Sequence, residues 1–152
     1  MWKSTVEVCH AGQRLVAFDV MTLRERLTFT LGGATYHARK AKEDGVLVLV
    51  EAASGLPLAQ RVALGAFTSD FDVEASMPDG SVHVIRADRV SGLRQRVELR
   101  VGGVAVGAVW SEGLMRRTPH ADLPEAWPLP VSVFVLWLVL RRFAAEDAAA
   151  AS

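Results

Sequence analysis

Arginines recur in this chain in pairs with one residue between them, a spacing that places both guanidinium groups on one face of a β-strand. Arg24 and Arg26 form the first pair, and Arg94 and Arg96 form the second. Guanidinium groups bind phosphate and carboxylate oxygens with two parallel hydrogen bonds. If the fold brings the two pairs together, we expect a surface patch that binds anions such as phospholipid headgroups.

The alternative explanation is that these arginines are ordinary surface residues whose charge is neutralised by carboxylates. Glu25, Glu98 and Asp88 are the acidic residues that the sequence offers as partners. Exposed ion pairs of this kind contribute little to stability and imply no ligand. The sequence leaves both interpretations open.

No catalytic or metal-binding arrangement is recognisable. Cys9 and His10 are adjacent, but neighbours in a strand point to opposite faces and cannot act as a pair. The histidines His37, His83 and His120 show no spacing typical of zinc ligands. We therefore predict neither enzymatic activity, nor a metal, nor a cofactor.

Three acidic residues of one strand share a face and form the best candidate for a cation site. These are Asp70, Asp72 and Glu74. Carboxylate oxygens are the ligands that Ca²⁺ and Mg²⁺ prefer. A solvated face of a sheet explains the same pattern more simply.

Composition limits the class of protein. The chain has 152 residues, enough for one domain with a core, and 17 basic residues balance 17 acidic ones. A net charge of zero argues against general nucleic-acid binding. The single cysteine excludes an intramolecular disulfide, and the N-terminal residues lack an apolar signal core, so we expect a cytoplasmic protein, with peripheral association at a membrane as the alternative.

Residues 1–110 read as short alternating strands separated by turn residues. Gly32-Gly33, Asp44-Gly45, Ser54-Gly55 and Gly102-Gly103 are hairpin signals. Such short connections predict an antiparallel meander of about ten strands. Clean alternation, as in Leu27–Leu31, predicts a sheet with one apolar face. The predicted strands are Lys3–Val8, Arg14–Val20, Glu25–Leu31, Thr35–Ala41, Val46–Glu51, Pro57–Leu64, Ala66–Ala75, Ser81–Ala87, Arg94–Val101 and Val104–Trp110.

A weak internal repeat accompanies the arginine pairs. Residues 24–33 and 94–103 share the pattern R-x-R-φ-x-φ-x-φ-G-G, in which φ is apolar. Two such hairpins in one meander suggest equivalent places in a closed sheet, although chance reuse of a good hairpin sequence is an equal alternative.

The segment from Trp127 to Leu140, WPLPVSVFVLWLVL, predicts a buried helix over residues 130–146. Prolines suit the first turn of a helix, and a helix that is apolar on every side belongs in a core. Fourteen helical residues extend about 21 Å, short of the roughly 30 Å hydrocarbon thickness of a bilayer. We expect residues 111–129 to form a linker loop and residues 147–152 a helix end or a frayed tail, all within one domain of residues 1–152.

The sequence resembles the tubby C-terminal-like group, which includes LURP-one-related proteins and phospholipid scramblases. The features that carry the resemblance are an antiparallel meander of R-x-R hairpins, a late strand GGVAVGAVW and a terminal apolar helix. The resemblance spans nearly the whole chain and rests on pattern, without a diagnostic motif. It implies a mainly β fold in which about 10–12 strands close into a barrel around the C-terminal helix. The basic residues with which tubby proteins bind phosphoinositides, and the acidic calcium-binding segment of scramblases, have no matching positions here.

We thus expect a non-enzymatic binding or scaffold module whose partner is a phospholipid headgroup or another protein. A barrel filled by its own helix would have to act through its surface. Two alternatives remain from the sequence. In the first, the C-terminal segment tethers the protein to a membrane. In the second, the helix packs outside a calycin-like barrel that carries a small molecule inside.

Overall fold

A single large antiparallel sheet dominates the fold. The computed structural model describes residues 5–10, 13–19, 26–65, 70–92, 94–112 and 118–151. The strands are β1 (Thr5–His10), β2 (Gln13–Asp19), β3 (Arg26–Leu31), β4 (Ala34–Lys40), β5 (Leu47–Glu51), β6 (Pro57–Ala63), β7 (Phe71–Ser76), β8 (Val82–Arg89), β9 (Arg96–Val101), β10 (Val104–Glu112) and β11 (Thr118–Asp122). One helix, α1 (Leu129–Ala151), follows them.

Sequential neighbours pair throughout the main sheet, as the short turns predict. Nine strands follow the order β11-β10-β9-β8-β7-β6-β5-β4-β3, and β1 and β2 form a separate two-stranded sheet. The mainly β prediction is therefore confirmed. The predicted closure into a barrel is not observed, because within the described residues the ladder of hydrogen bonds ends at β3 and β11. Alternation fixes which face of a strand is buried, but it does not determine how the two edges of a sheet are joined.

The two halves of the sequence repeat form matching hairpins. Leu31 pairs with Ala34 across Gly32-Gly33, and Val101 pairs with Val104 across Gly102-Gly103. All four glycines have positive φ, at 56° and 82° in the first turn and 59° and 79° in the second. Two-residue turns with positive φ at both positions match the twist of the flanking strands, which explains why a glycine pair ends both copies of the repeat.

The helix fills the apolar face of the sheet. It begins at Leu129, and Pro130 falls in its first turn, where a missing N–H leaves no bond unmade. Val131 and every residue from Val133 to Leu140 are buried. They form one hydrophobic core with inward side chains of the sheet such as Leu49, Val73 and Leu99, all fully buried. No helix in the described part of the chain is long and apolar enough to cross a membrane.

The predicted linker over residues 111–129 is wrong in part, because it contains β11. This edge strand pairs with β10 from Ala108–Asp122 to Glu112–Thr118, and the rings of Trp110 and His120 stack with centroids 5.7 Å apart. Pro119 is tolerated because an edge strand leaves one side of its backbone unpaired. Gly107 is required here, since a Cβ would collide with the carbonyl oxygen of Asp122.

Of the two expectations for residues 147–152, the helix end is observed and the frayed tail is not, since α1 continues through Ala151. Alanine has the highest helix propensity, which favours this extension. The buried Gln95 adds a tertiary anchor from the segment before β9. Its Nε2 donates hydrogen bonds to the Phe143 carbonyl oxygen at 3.1 Å and to Asp147 Oδ1 at 3.0 Å.

Candidate functional site

The structure separates Arg26 from the second of the two arginine pairs that the sequence singled out. Arg26 lies on β3, Arg96 begins β9, and Arg94 lies in the turn before it, whereas Arg24 falls outside the described residues. Five strands, β4 to β8, stand between β3 and β9 in the sheet. Arg26 and the Arg94–Arg96 pair are therefore not neighbours in the sheet.

The second pair has local contacts of its own. The Arg96 guanidinium lies over the Trp110 ring, with Cζ 5.4 Å from the ring centroid. The carbonyl oxygen of Arg94 accepts a hydrogen bond of 3.1 Å from Arg89 Nη1. A cation over an aromatic ring is a common stabilising contact and needs no ligand.

Arg26 has a different arginine beside it. The register of β3 and β4 places Arg39 directly opposite, and both side chains are exposed. Directly opposed residues on one face of a sheet have Cβ atoms about 5 Å apart, and like charges there are destabilising. Within the described residues neither arginine forms an ion pair or a side-chain hydrogen bond. We call Arg26 and Arg39 the outer arginine pair.

The sheet contains a second cross-strand arginine pair, and there the charge is neutralised. Arg86 on β8 lies opposite Arg100 on β9. Asp72 accepts a hydrogen bond from the Arg86 guanidinium, and this contact raises the pKa of Arg86. Arg100 lies 3.0 Å from Glu98 and 3.9 Å from Asp88. Two cross-strand arginines thus have carboxylate partners at Arg86 and Arg100, whereas at Arg26 and Arg39 no described carboxylate is paired with either.

The outer arginine pair borders an open groove of about 870 Å³ on the outer surface of β3, β4 and β5. Beside it, Thr28 Oγ1 and His37 Nδ1 lie 2.9 Å apart. Lys42 adds a further cation to the lining of the groove. Glu43 and Asp44 are carboxylates of the same lining. Asp44 Oδ1 already accepts a hydrogen bond of 3.0 Å from the Val46 N–H.

A second site lies at the end of the sheet beside the C-terminal half of α1. Arg61 of β6 pairs with the fully buried Val73, so its side chain points toward the inner face of the sheet. Its guanidinium lies over Phe71, with Cζ 5.0 Å from the ring centroid. Burial, and then the nearby charge of Arg142, lower the pKa of Arg61. We call the surrounding cleft, of about 690 Å³, the Arg61 cleft.

An ion-pair cluster forms one wall of the Arg61 cleft. Arg142 Nη1 donates to Asp70 Oδ1 at 2.8 Å, and Arg142 Nε lies 3.6 Å from Glu146 Oε1. Arg89 Nε donates to the same Glu146 oxygen at 3.0 Å. Burial alone would raise the pKa of Asp70, but hydrogen bonds from the Arg89 N–H and the Arg142 guanidinium hold it below its ordinary value.

The acidic face considered as a cation site has other partners. Asp70 and Asp72 contact Arg142 and Arg86, and Glu74 Oε2 accepts a hydrogen bond of 2.8 Å from Gln60 Nε2. In the part of the chain that the structure describes, no three His, Cys, Asp or Glu residues are grouped as metal ligands.

The histidines and the cysteine are dispersed over the fold. His37 contacts Thr28, His120 stacks on Trp110, and His83 lies on β8 with Nδ1 buried. Cys9 and His10 lie on β1. Nothing in this placement assembles a nucleophile with a base among the described side chains.

Comparison of the chain with protein-family models, with curated proteins and with solved structures finds no match. The fold and the two sites therefore carry the functional argument. They define a mainly β protein with a sheet-covered C-terminal helix and two adjoining clusters of basic residues, which share Lys40.

Sequence reasoning missed both Arg39 and Arg61. Arg39 was within reach, because the two-residue turn at Gly32-Gly33 fixes the register, and counting outward from it places Arg39 opposite Arg26. Arg61 gives no such signal. It shares a strand face with the small residues Ala59 and Ala63, and only the fold shows that this face points inward.

Proposed function

We propose that this protein is a non-enzymatic binding module that recognises anionic phospholipid headgroups through the outer arginine pair. The observation that carries the proposal is the opposition of Arg26 and Arg39 on exposed strand positions without a described counterion. The chain supplies carboxylates to the equivalent pair at Arg86 and Arg100. A bound phosphate would take the role that Asp72 and Glu98 play there.

The expected affinity is modest and depends on salt. Each basic residue near an anionic membrane surface contributes about 1 kcal/mol, so Arg26, Arg39 and Lys42 together supply on the order of 3 kcal/mol. This corresponds to roughly a hundredfold preference for an anionic surface over a neutral one. Since exposed charges are screened over about 8 Å at physiological ionic strength, binding should be peripheral and reversible.

The proposal includes closure of the sheet into a barrel by the β1–β2 hairpin. Val8 of β1 packs against the core and lines the same cleft as Leu123, which follows β11. At the other side β2 contacts β3. A hairpin between the two edges would give eleven strands around α1, in keeping with the resemblance to the tubby-like group. The helix occupies the interior, which favours recognition at the surface.

Vesicle co-sedimentation tests the proposed function. The full chain is mixed with phosphatidylcholine vesicles that contain or lack phosphatidylserine. The double variant Arg26→Gln/Arg39→Gln should bind the anionic vesicles roughly 30-fold more weakly, since two contributions of about 1 kcal/mol are lost. The matched control is Arg86→Gln/Arg100→Gln, which removes the same charge from another cross-strand pair.

The control should retain most of the binding, because its arginines are already occupied by carboxylates. Equal weakening in both double variants would show that only net charge matters, and the proposal would fail. Failure of the wild type to prefer anionic vesicles would also overturn it. Circular dichroism checks folding, and the Arg26/Arg39 variant should be at least as stable as wild type because a like-charge contact is removed.

A further inference from the structure

We infer that the Arg61 cleft is a second binding site, which takes a small monocarboxylate with an apolar body. The cleft adjoins the groove beside the outer arginine pair, with which it shares Lys40 and Asp44, but Arg61 lines the cleft and not the groove, and the inference does not depend on the proposed headgroup binding. It rests on three observations: an inward-facing arginine without a carboxylate partner, a mixed apolar lining, and neighbouring carboxylates that already have partners.

Arg61 is an unusual residue for its position. It lies on a central strand of the sheet, between β5 and β7, and its side chain is neither fully exposed nor paired with a described carboxylate. Its described contact is the Phe71 ring, and Arg142 is a like charge nearby. Arginine is rarely withdrawn from water without a counterion, so an anionic ligand would complete this environment.

The carboxylates around the cleft are engaged elsewhere. Asp70 accepts hydrogen bonds from Arg142 and from the Arg89 N–H, at 2.8 and 3.1 Å. Glu146 lies within ion-pairing distance of both Arg142 and Arg89. Asp44 accepts the Val46 N–H across its turn. None of the three contacts Arg61 in the structure, which leaves its guanidinium to an external anion.

The lining also determines the rest of the ligand. Phe71 and Leu47 line the cleft from the sheet, and Leu138 lines it from the helix. A volume of about 690 Å³ is within the range typical of small-molecule sites. An apolar chain would fit between sheet and helix with its charged end at Arg61.

The lining favours an anion that carries an apolar body. Lys40, Arg61, Arg141 and Arg142 line the cleft together with the carboxylates of Asp44 and Glu146, so its lining is net positive. A carboxylate can form two parallel hydrogen bonds with the planar Arg61 guanidinium, and only a ligand with an apolar body also covers the side chains of Phe71, Leu47 and Leu138. The ligand class we infer is therefore a monocarboxylate of the medium-chain fatty-acid type.

Isothermal titration calorimetry with the full chain tests the site, with decanoate as the probe. Decanol supplies the apolar body without the charge, and inorganic phosphate supplies charge without the apolar body. Decanoate should bind, decanol should bind at least tenfold more weakly, and phosphate should not bind measurably. Arg61→Gln should weaken decanoate binding about 10- to 100-fold, the range for a hydrogen bond to a charged group.

The matched control is Arg86→Gln, which removes one positive charge from an exposed position outside the cleft. It should leave decanoate binding unchanged. Arg61→Lys keeps the charge and loses the planar fork, so it should bind with intermediate affinity, and it serves as the second variant if Arg61→Gln does not fold. Equal binding of decanoate and decanol, or full binding by Arg61→Gln, would overturn the inference, as would the absence of decanoate binding to wild type.

The two proposals fail separately. Arg26→Gln/Arg39→Gln should lose vesicle binding and keep decanoate binding, and Arg61→Gln should show the reverse. Loss of both activities in either variant would contradict the separation of the two sites.

Discussion

Replacement of Trp137 by alanine should remove the largest fully buried side chain that the structure describes. Its ring stacks on Phe134, with centroids 6.2 Å apart, and the Arg141 guanidinium lies over it with Cζ 4.9 Å from the centroid. Alanine substitutions of buried Phe or Trp cost about 3–5 kcal/mol, because apolar contact is lost and a cavity remains. That is a large share of the 5–15 kcal/mol that stabilises a typical domain, so Trp137→Ala should fold with little stability to spare.

Replacement of Trp137 by phenylalanine should change the stability less than replacement by alanine, because it removes the indole Nε1. Trp137 Nε1 is buried and has no hydrogen-bond partner among the residues that the structure describes. A buried polar group without a partner costs about 1–3 kcal/mol, and phenylalanine lacks that group. The smaller ring would leave roughly 40 Å³ unfilled, which costs on the order of 1 kcal/mol. The two effects oppose each other, and we expect Trp137→Phe to lie within about 1 kcal/mol of wild type.

Urea unfolding followed by far-ultraviolet circular dichroism separates these outcomes. With a slope of about 2 kcal/mol per molar urea, a loss of ~4 kcal/mol lowers the midpoint by roughly 2 M. Trp137→Ala should show this shift and Trp137→Phe should not. A midpoint for Trp137→Ala equal to wild type would refute the packing of α1 against the sheet. A cost for Trp137→Phe as large as that for alanine would show that Nε1 has a partner and that the polar argument is wrong.

Two further predictions concern charge and closure. Because the pKa of Asp70 is held below the ordinary value of 3.8, its ion pair stabilises the fold fully above that value and is lost as the pH falls through the folded pKa. Asp70→Asn should therefore unfold at lower urea than wild type at pH ~7, with a gap that narrows below pH ~4; a constant gap would contradict the assignment. If the β1–β2 hairpin closes the sheet, the outward backbone amides of β3 and β11 should exchange with deuterium as slowly as those of the central strand β7. Rapid exchange along either edge would show that the sheet is open.

Local chemistry accounts for the parts of the fold that were predictable. The hairpins at Gly32-Gly33 and Gly102-Gly103 follow from residues that accept positive φ, and the buried helix follows from an apolar run after two prolines that only Ser132 interrupts. β11 was not predictable in this way. Its five residues, TPHAD, have neither alternation nor β-branched enrichment, and they form a strand because β10 extends far enough to pair with them.

One of the two candidate sites could likewise be predicted from local sequence, and the other depends on the fold. Arg39 joins Arg26 through a contact that the turn alone determines, since a two-residue loop fixes which residues lie opposite each other. Arg61 depends on which face of β6 is turned toward the helix, and the sequence of that strand gives no apolar pattern strong enough to decide it. Its environment arises from residues distant in sequence, Phe71 and Arg142, that the sheet and the helix bring to one end of the core. The intrinsic preference of arginine is for water, but the Arg61 guanidinium lies beside the Phe71 ring and near the Arg142 cation. Such a conflict between local and global preference is expected where function, and not stability, has selected the residue.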